Sequence, residues 1–133
     1  MSKKQKLLIS SRLENIKLIE KLVDEICDVH NIKEEMYGNI LVALTEVVNN
    51  AISHGNKLDP EKNVEIFFEA TDNKLFFTIE DQGDGFDYLH LPNPTDIKNI
   101  EKPTGRGIYL MQHLASKVIF ENKGNKVIIE FEF

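Results

Sequence analysis

Glu46, Asn50 and His54 are spaced four residues apart, so on a helix they fall on one stripe beside the apolar Leu44, Val47 and Ala51. A carboxylate and an amide on that border stand between core and solvent. A single polar residue there is ordinarily part of a solvated face. Three in register, closing on His54-Gly55, point to a site. Downstream, Asp81-Gln82-Gly83-Asp84-Gly85 follows a strand-like run. Glycines at alternate positions open backbone angles closed to other residues and let the main chain approach a ligand. A plain turn is the competing reading, because Asp-Gly pairs favour turns in any protein. Gly105-Arg106-Gly107 then precedes a helical pattern, and a glycine-rich helix entry offers free N–H donors suited to phosphate. The chain has seven glycines, and four of them form these two Gly-x-Gly pairs at the flanks of one long loop.

The elements that must position these residues are legible from periodicity. A short strand is predicted over residues 7–10. Ser11 with Glu14 reads as a capping box opening a helix whose apolar stripe is Leu13, Ile16, Ile19, Val23 and Ile26. Asn31 with Glu34 reads as a second capping box. The helix after it buries Met36, Ile40, Leu44, Val47 and Ala51 and ends near Gly55. Strands are predicted over 63–71 and 74–80 with a turn at Asp72-Asn73, a third helix over 107–116, and strands over 118–121 and 127–133 around Gly124. Hairpins imply a mixed, mostly antiparallel sheet, and amphipathic helices need a face to cover. The expected fold is α+β, a two-layer sandwich with helices on one face of the sheet. Phe67, Phe77, Phe131 and Phe133 are expected in sheet packing.

At 133 residues with 41% hydrophobic and 29% charged residues, the sequence reads as one globular domain spanning 1–133. Its one cysteine, Cys27, lies in an apolar helical stretch and reads as a buried structural thiol in a reducing, cytoplasmic setting. A net charge of −6 argues against a nucleic-acid surface. No run approaches the roughly 20 apolar residues that span a membrane, and the one after the basic start is too short for a signal peptide. His30, His90 and His113 have no metal-ligand spacing.

Together the three motifs resemble a known superfamily. Glu46-Val47-Val48-Asn49-Asn50-Ala51 with His54-Gly55 is similar to the N box of the Bergerat-fold ATPases, which include gyrase, MutL and the histidine kinases. Asp81-x-Gly83-x-Gly85 matches the first glycine box and Gly105-x-Gly107 the second, and the resemblance covers nearly the whole chain. It implies that ATP is bound, that Asn50 coordinates Mg²⁺, and that Asp81 hydrogen-bonds the adenine amino group. It also implies an ATP lid over 86–104, with Gly83 and Gly85 lining the nucleotide and Thr104, Gly105 and Gly107 toward its phosphates. Lys98, Lys102 and Arg106, in the lid or at its end, are candidate phosphate contacts, the lysines equally readable as solvated loop charges. In this superfamily the residue one turn before the metal-binding Asn separates chemistries: histidine kinases carry Asn, and enzymes that activate a hydroxyl or water carry a carboxylate. Here it is Glu46, placed as general base. The chain has no room for the second domain of gyrase- or MutL-like enzymes. It most resembles the anti-sigma-factor serine/threonine kinases of the SpoIIAB and RsbW type. That resemblance implies a sigma factor and an anti-anti-sigma (STAS-type) protein as partners, the latter the serine substrate, and a homodimer. The alternative is a non-catalytic, ATP-dependent protein-binding switch. Many relatives carry a Gly-Thr pair near the last hairpin that helps hold the adenine region. Here Gly124-Asn125-Lys126 stands in its place, with Thr78 a candidate substitute.

Overall fold

The computed structural model describes residues 3–85 and 110–133. Strands β1 (Lys3–Ser10), β2 (Asn63–Ala70), β3 (Lys74–Glu80), β4 (Lys117–Glu121) and β5 (Lys126–Glu132) form one sheet in the order β1-β2-β3-β5-β4. Among the described residues every pairing is antiparallel. Helices α1 (Ile16–Val29) and α2 (Glu34–Asn50) complete the α+β architecture.

Period-two patterning sets the layers. Val64, Ile66, Phe68 and Ala70 of β2, Leu75, Phe77 and Ile79 of β3, and Val127, Ile129 and Phe131 of β5 are all buried. The register sets Phe68 opposite Phe77 and Phe77 opposite Ile129, so these side chains meet across strands. Ile19, Leu22, Val23, Ile26 and Cys27 of α1 join the same core, with Ile40, Ala43, Leu44, Val47 and Val48 of α2. Phe77 meets Phe131 edge-on at 6.0 Å between ring centroids. The opposite sheet face is mixed: Lys6 pairs with Glu65 and Lys74 with Glu130, while Phe67 is 41% exposed.

Several local expectations are corrected. β1 runs over the full Lys3–Ser10, because its lysines suit an edge strand and pair along β2. Neither capping box forms. The Ser11 hydroxyl is fully buried and donates to the Lys62 carbonyl oxygen, and no side chain caps α1. Asn31 takes a left-handed φ of 54°, and Lys33 caps α2 without a side-chain bond. Leu13 lies in a 3₁₀ turn (Leu13–Asn15), half exposed, rather than on the α1 stripe. Phe67 and Phe133 point to solvent, whereas Phe77 and Phe131 are buried as expected. The third helix is helical over 110–114, and the start expected at 107 lies outside the described residues. No described helix is long and apolar enough to cross a membrane.

The end of α2 differs most from expectation. The helix passes into a single π turn (Ala51–Gly55), closed by the Asn56 N–H donating to the Ala51 carbonyl at 2.8 Å. Such widened turns are frequent at functional sites. The helical turns end at Gly55, as the sequence indicates, and two left-handed residues follow at Lys57 and Leu58. Gly55 also has a steric role, described next.

Candidate functional site

A cleft of about 570 Å³, mouth included, opens between the end of α2 and the ends of β3 and β5. Its walls are largely apolar: Val47, Ala51, Ile79, Met111, Phe120 and Val127, with Asn50, Asp81 and Asn125 as the polar exceptions deeper than the exposed His54. Apolar walls with a few convergent polar groups suit a flat heterocycle that carries one or two hydrogen-bonding atoms.

Asp81 sits where β3 ends. Its backbone N–H donates to the Asn125 carbonyl at 2.9 Å, which ties it to the turn between β4 and β5. One carboxylate oxygen accepts the Gly83 N–H at 2.8 Å, the local closure that Asp favours in a turn. Burial pushes the Asp81 carboxyl above its ordinary range; the Gly83 N–H opposes that rise and the neighbouring Glu80 charge adds to it. A partly desolvated carboxylate with one free oxygen is a strong acceptor for a ligand N–H.

The glycines make this placement possible by omission. A Cβ on Gly55 would collide with the Asp81 carboxyl group, and one on Gly83 would lie 2.6 Å from the Gly55 carbonyl carbon. Gly55, Asp81 and Gly83 thus interlock, and neither glycine has room for a side-chain carbon. Gly85 has φ +81°, and a Cβ there would stand 2.5 Å from the Lys123 carbonyl carbon. Asn56 braces the arrangement from behind. Fully buried, it accepts the Gln82 N–H at 2.7 Å and donates to Ser11 Oγ at 2.8 Å and the Asn63 carbonyl at 3.0 Å.

Of the residues singled out in the sequence, Asn50, Asp81 and Gly85 line the one cleft, and Gly83 supports its floor. Glu46 stands one α-helical turn before Asn50, about 6 Å along the axis, partly buried and beyond the lining residues. Lys98, Lys102, Thr104, Gly105, Arg106, Gly107 and the lid expected over 86–104 lie outside the described residues. Thr78 is excluded as a substitute contact: it faces the outer sheet surface with Lys6, Phe67 and Phe76, while its neighbour Ile79 faces the cleft. Asn56 was missed as a functional support, because a buried asparagine after a helix looks like any loop asparagine until its partners are known. The apolar walls from Met111 and Phe120 carried no local signal either.

A profile of the histidine kinase-like ATPase domain matches residues 9–131. The chain belongs to the histidine kinase-like ATPase domain family. This histidine kinase-like domain is also similar to curated proteins named serine-protein kinase RsbW. It is 32% identical to the one from Staphylococcus epidermidis over 91 residues, covering 62% of this chain and 57% of that protein. The values for Staphylococcus aureus (strain MRSA252) are 33% over 94 residues with the same coverage, and for Bacillus subtilis (strain 168) 29% over 90 residues, 63% of this chain and 56% of that protein. The domain thus spans little more than half the length of the relatives it matches. The cleft lies within the matched residues, and Asp81 and Gly85 are among its lining.

Proposed function

We propose that this domain binds ATP and transfers its γ-phosphoryl group to a serine or threonine on a protein partner. The observation that carries the reading is the cleft itself: a raised, half-buried carboxylate at the floor of an apolar slot, with Asn50 on the adjoining helix and Glu46 one turn before it. The similarity to serine-protein kinases RsbW supports the reaction class. Adenine would lie between Ile79, Met111 and Val127, its exocyclic amine donating to Asp81. Asn50 would offer Mg²⁺ its side-chain oxygen, a hard ligand at the cleft edge, with phosphate oxygens and water completing the coordination. When bound, the ion would supply charge neutralisation at the phosphates. Lys102, Thr104, Gly105, Arg106 and Gly107 would receive those phosphates. Glu46 would accept the proton of the attacking hydroxyl, a poor nucleophile without a base.

The partners proposed are those of the anti-sigma kinases that the chain resembles. They are an anti-anti-sigma protein as phosphoryl acceptor, a sigma factor as the regulated ligand, and a second copy of the chain in a homodimer. The deciding experiment incubates the protein with labelled ATP, Mg²⁺ and candidate anti-anti-sigma proteins encoded nearby, and maps any phosphorylated residue. Transfer to a serine or threonine bears the reading out. Tight nucleotide binding without transfer to any candidate would refute the kinase and support the switch.

A further inference from the structure

The peptide planes on both sides of Asp81 are held by residues distant in the chain. Its own N–H donates to the Asn125 carbonyl at 2.9 Å. The plane that follows is held at both ends: the Asp81 carbonyl accepts Asn125 Nδ2 at 3.3 Å, and the Gln82 N–H donates to Asn56 Oδ1 at 2.7 Å. Peptide units are rigid, so pinning the two that flank a residue pins its φ and ψ and the direction in which its side chain leaves. Asn56 does not line the cleft, yet it sets one of these planes.

The bond from Gln82 to Asn56 is one side of a closed ring. Asn56 Nδ2 donates to the Asn63 carbonyl at 3.0 Å, and the Asn63 N–H donates to Gln82 Oε1 at 2.6 Å. The Gln82 N–H then returns to Asn56. The ring ties together the residue after the π turn, the first residue of β2 and the loop that follows β3. Backbone partners on each amide fix which of its atoms is the oxygen. The contacts of Gly55 with Asp81 and Gly83 exclude atoms without giving a direction, whereas a hydrogen bond has one.

We propose that Asn56 is a positioning residue for the nucleotide site, and that the ring it closes with Gln82 and Asn63 aims the Asp81 carboxylate at the bound base. The inference rests on the nucleotide-binding reading above and extends it to a residue outside the cleft. It also gives the middle residue of Asp81-Gln82-Gly83 a task. Gln82 is exposed, so water competes for its side-chain bond, and the fully buried Asn56 carries the larger share.

The test is a double-mutant cycle on ATP affinity, by calorimetric titration of the wild type, Asn56→Ala, Asp81→Asn and the double variant, each below its melting transition. Asn56→Ala should weaken ATP about three- to tenfold in the wild-type background, the worth of one hydrogen bond. It should cost little or nothing once Asp81 is Asn, because the aim of an absent carboxylate has no effect. Ser11→Ala removes the Asn56 Nδ2 bond to Ser11 Oγ and leaves the ring closed, so it should lower the melting midpoint without weakening ATP. Gln82→Ala opens the ring at an exposed side chain; it should weaken ATP about two- to threefold with the same dependence on Asp81, and it carries the test if Asn56→Ala does not fold. If Asn56 only stabilises the fold, ATP affinity is unchanged, or falls by one common factor in both backgrounds. Either result overturns the inference while nucleotide binding stands. A wild type that binds no ATP overturns both readings.

Discussion

Replacing Asp81 by Asn should separate function from stability in opposite directions. The substitution keeps an oxygen to accept the Gly83 N–H at 2.8 Å, so the turn closes as before. It removes the charge, and it puts an NH₂ where the second carboxylate oxygen would meet the base. A hydrogen bond to a charged group contributes about 1.5–3 kcal/mol, so ATP affinity should fall roughly 10- to 150-fold. The free protein should respond the other way. Burial raises the Asp81 carboxyl above its ordinary range, so the folded state binds a proton more readily than the unfolded chain does. For such a group the stabilising contribution is fully present below the unfolded pKa, about 3.9 for Asp, and is lost as pH rises through the folded value. At neutral pH the wild type therefore carries an ionised carboxylate that the fold disfavours, and Asn relieves it. Thermal midpoints of the nucleotide-free proteins should favour Asp81→Asn at pH 7, with the difference closing as pH falls toward 4. Titration calorimetry and a pH series of melting curves on the same two samples measure both effects. A variant that is less stable at every pH, or that binds ATP as the wild type does, would refute the reasoning.

Three other outcomes follow from the same geometry. Glu46→Gln should leave nucleotide affinity nearly unchanged while single-turnover phosphotransfer falls by about 10²–10⁴-fold, the usual worth of a general base; a parallel fall in affinity would assign Glu46 to structure instead. Gly83→Ala should lose about 1–3 kcal/mol in urea unfolding, because its Cβ meets the Gly55 carbonyl. Unchanged stability there would mean that the floor can open. Asn56→Ala leaves the Gln82 N–H without its acceptor and removes the donors to Ser11 Oγ and the Asn63 carbonyl, and should lose about 1–3 kcal/mol, measured as a shift in urea midpoint at constant slope.

What the sequence disclosed and what it hid divide along the range of the interactions. The stripes of α1 and α2 and the alternation of β2, β3 and β5 are written in periodicity, which is local and set by burial. The buried thiol was equally plain: Cys27 lies inside the helical core, and desolvation pushes it up to about 11. The caps failed because a hydroxyl at Ser11 had a better bidder than its own helix. Lys62 and Asn56 reach it from 51 and 45 residues away, and no window along the chain contains them. Gly55 illustrates the same limit. Its place marked the end of the helical run, which it is, yet the group it makes room for is the carboxyl of Asp81, far along the chain. Asp81, Gly83 and Gly85 were legible because their chemistry and their backbone needs coincide within five residues. Asn125 was visible only as a departure from its relatives, since its bonds to Asp81 are a property of three dimensions.

The interlock of Gly55, Asp81 and Gly83 has a mechanical consequence. The Asp81 carboxyl fills the space a Cβ on Gly55 would take and the Gly55 carbonyl that of one on Gly83, so the π turn and the end of β3 meet in direct contact. A base that pulls on Asp81 would thereby bear on Asn50 and Glu46 without any loop having to move. Filling the base end of the slot and aligning its phosphate end would then be one event, carried by the shortest linkage that the backbone allows.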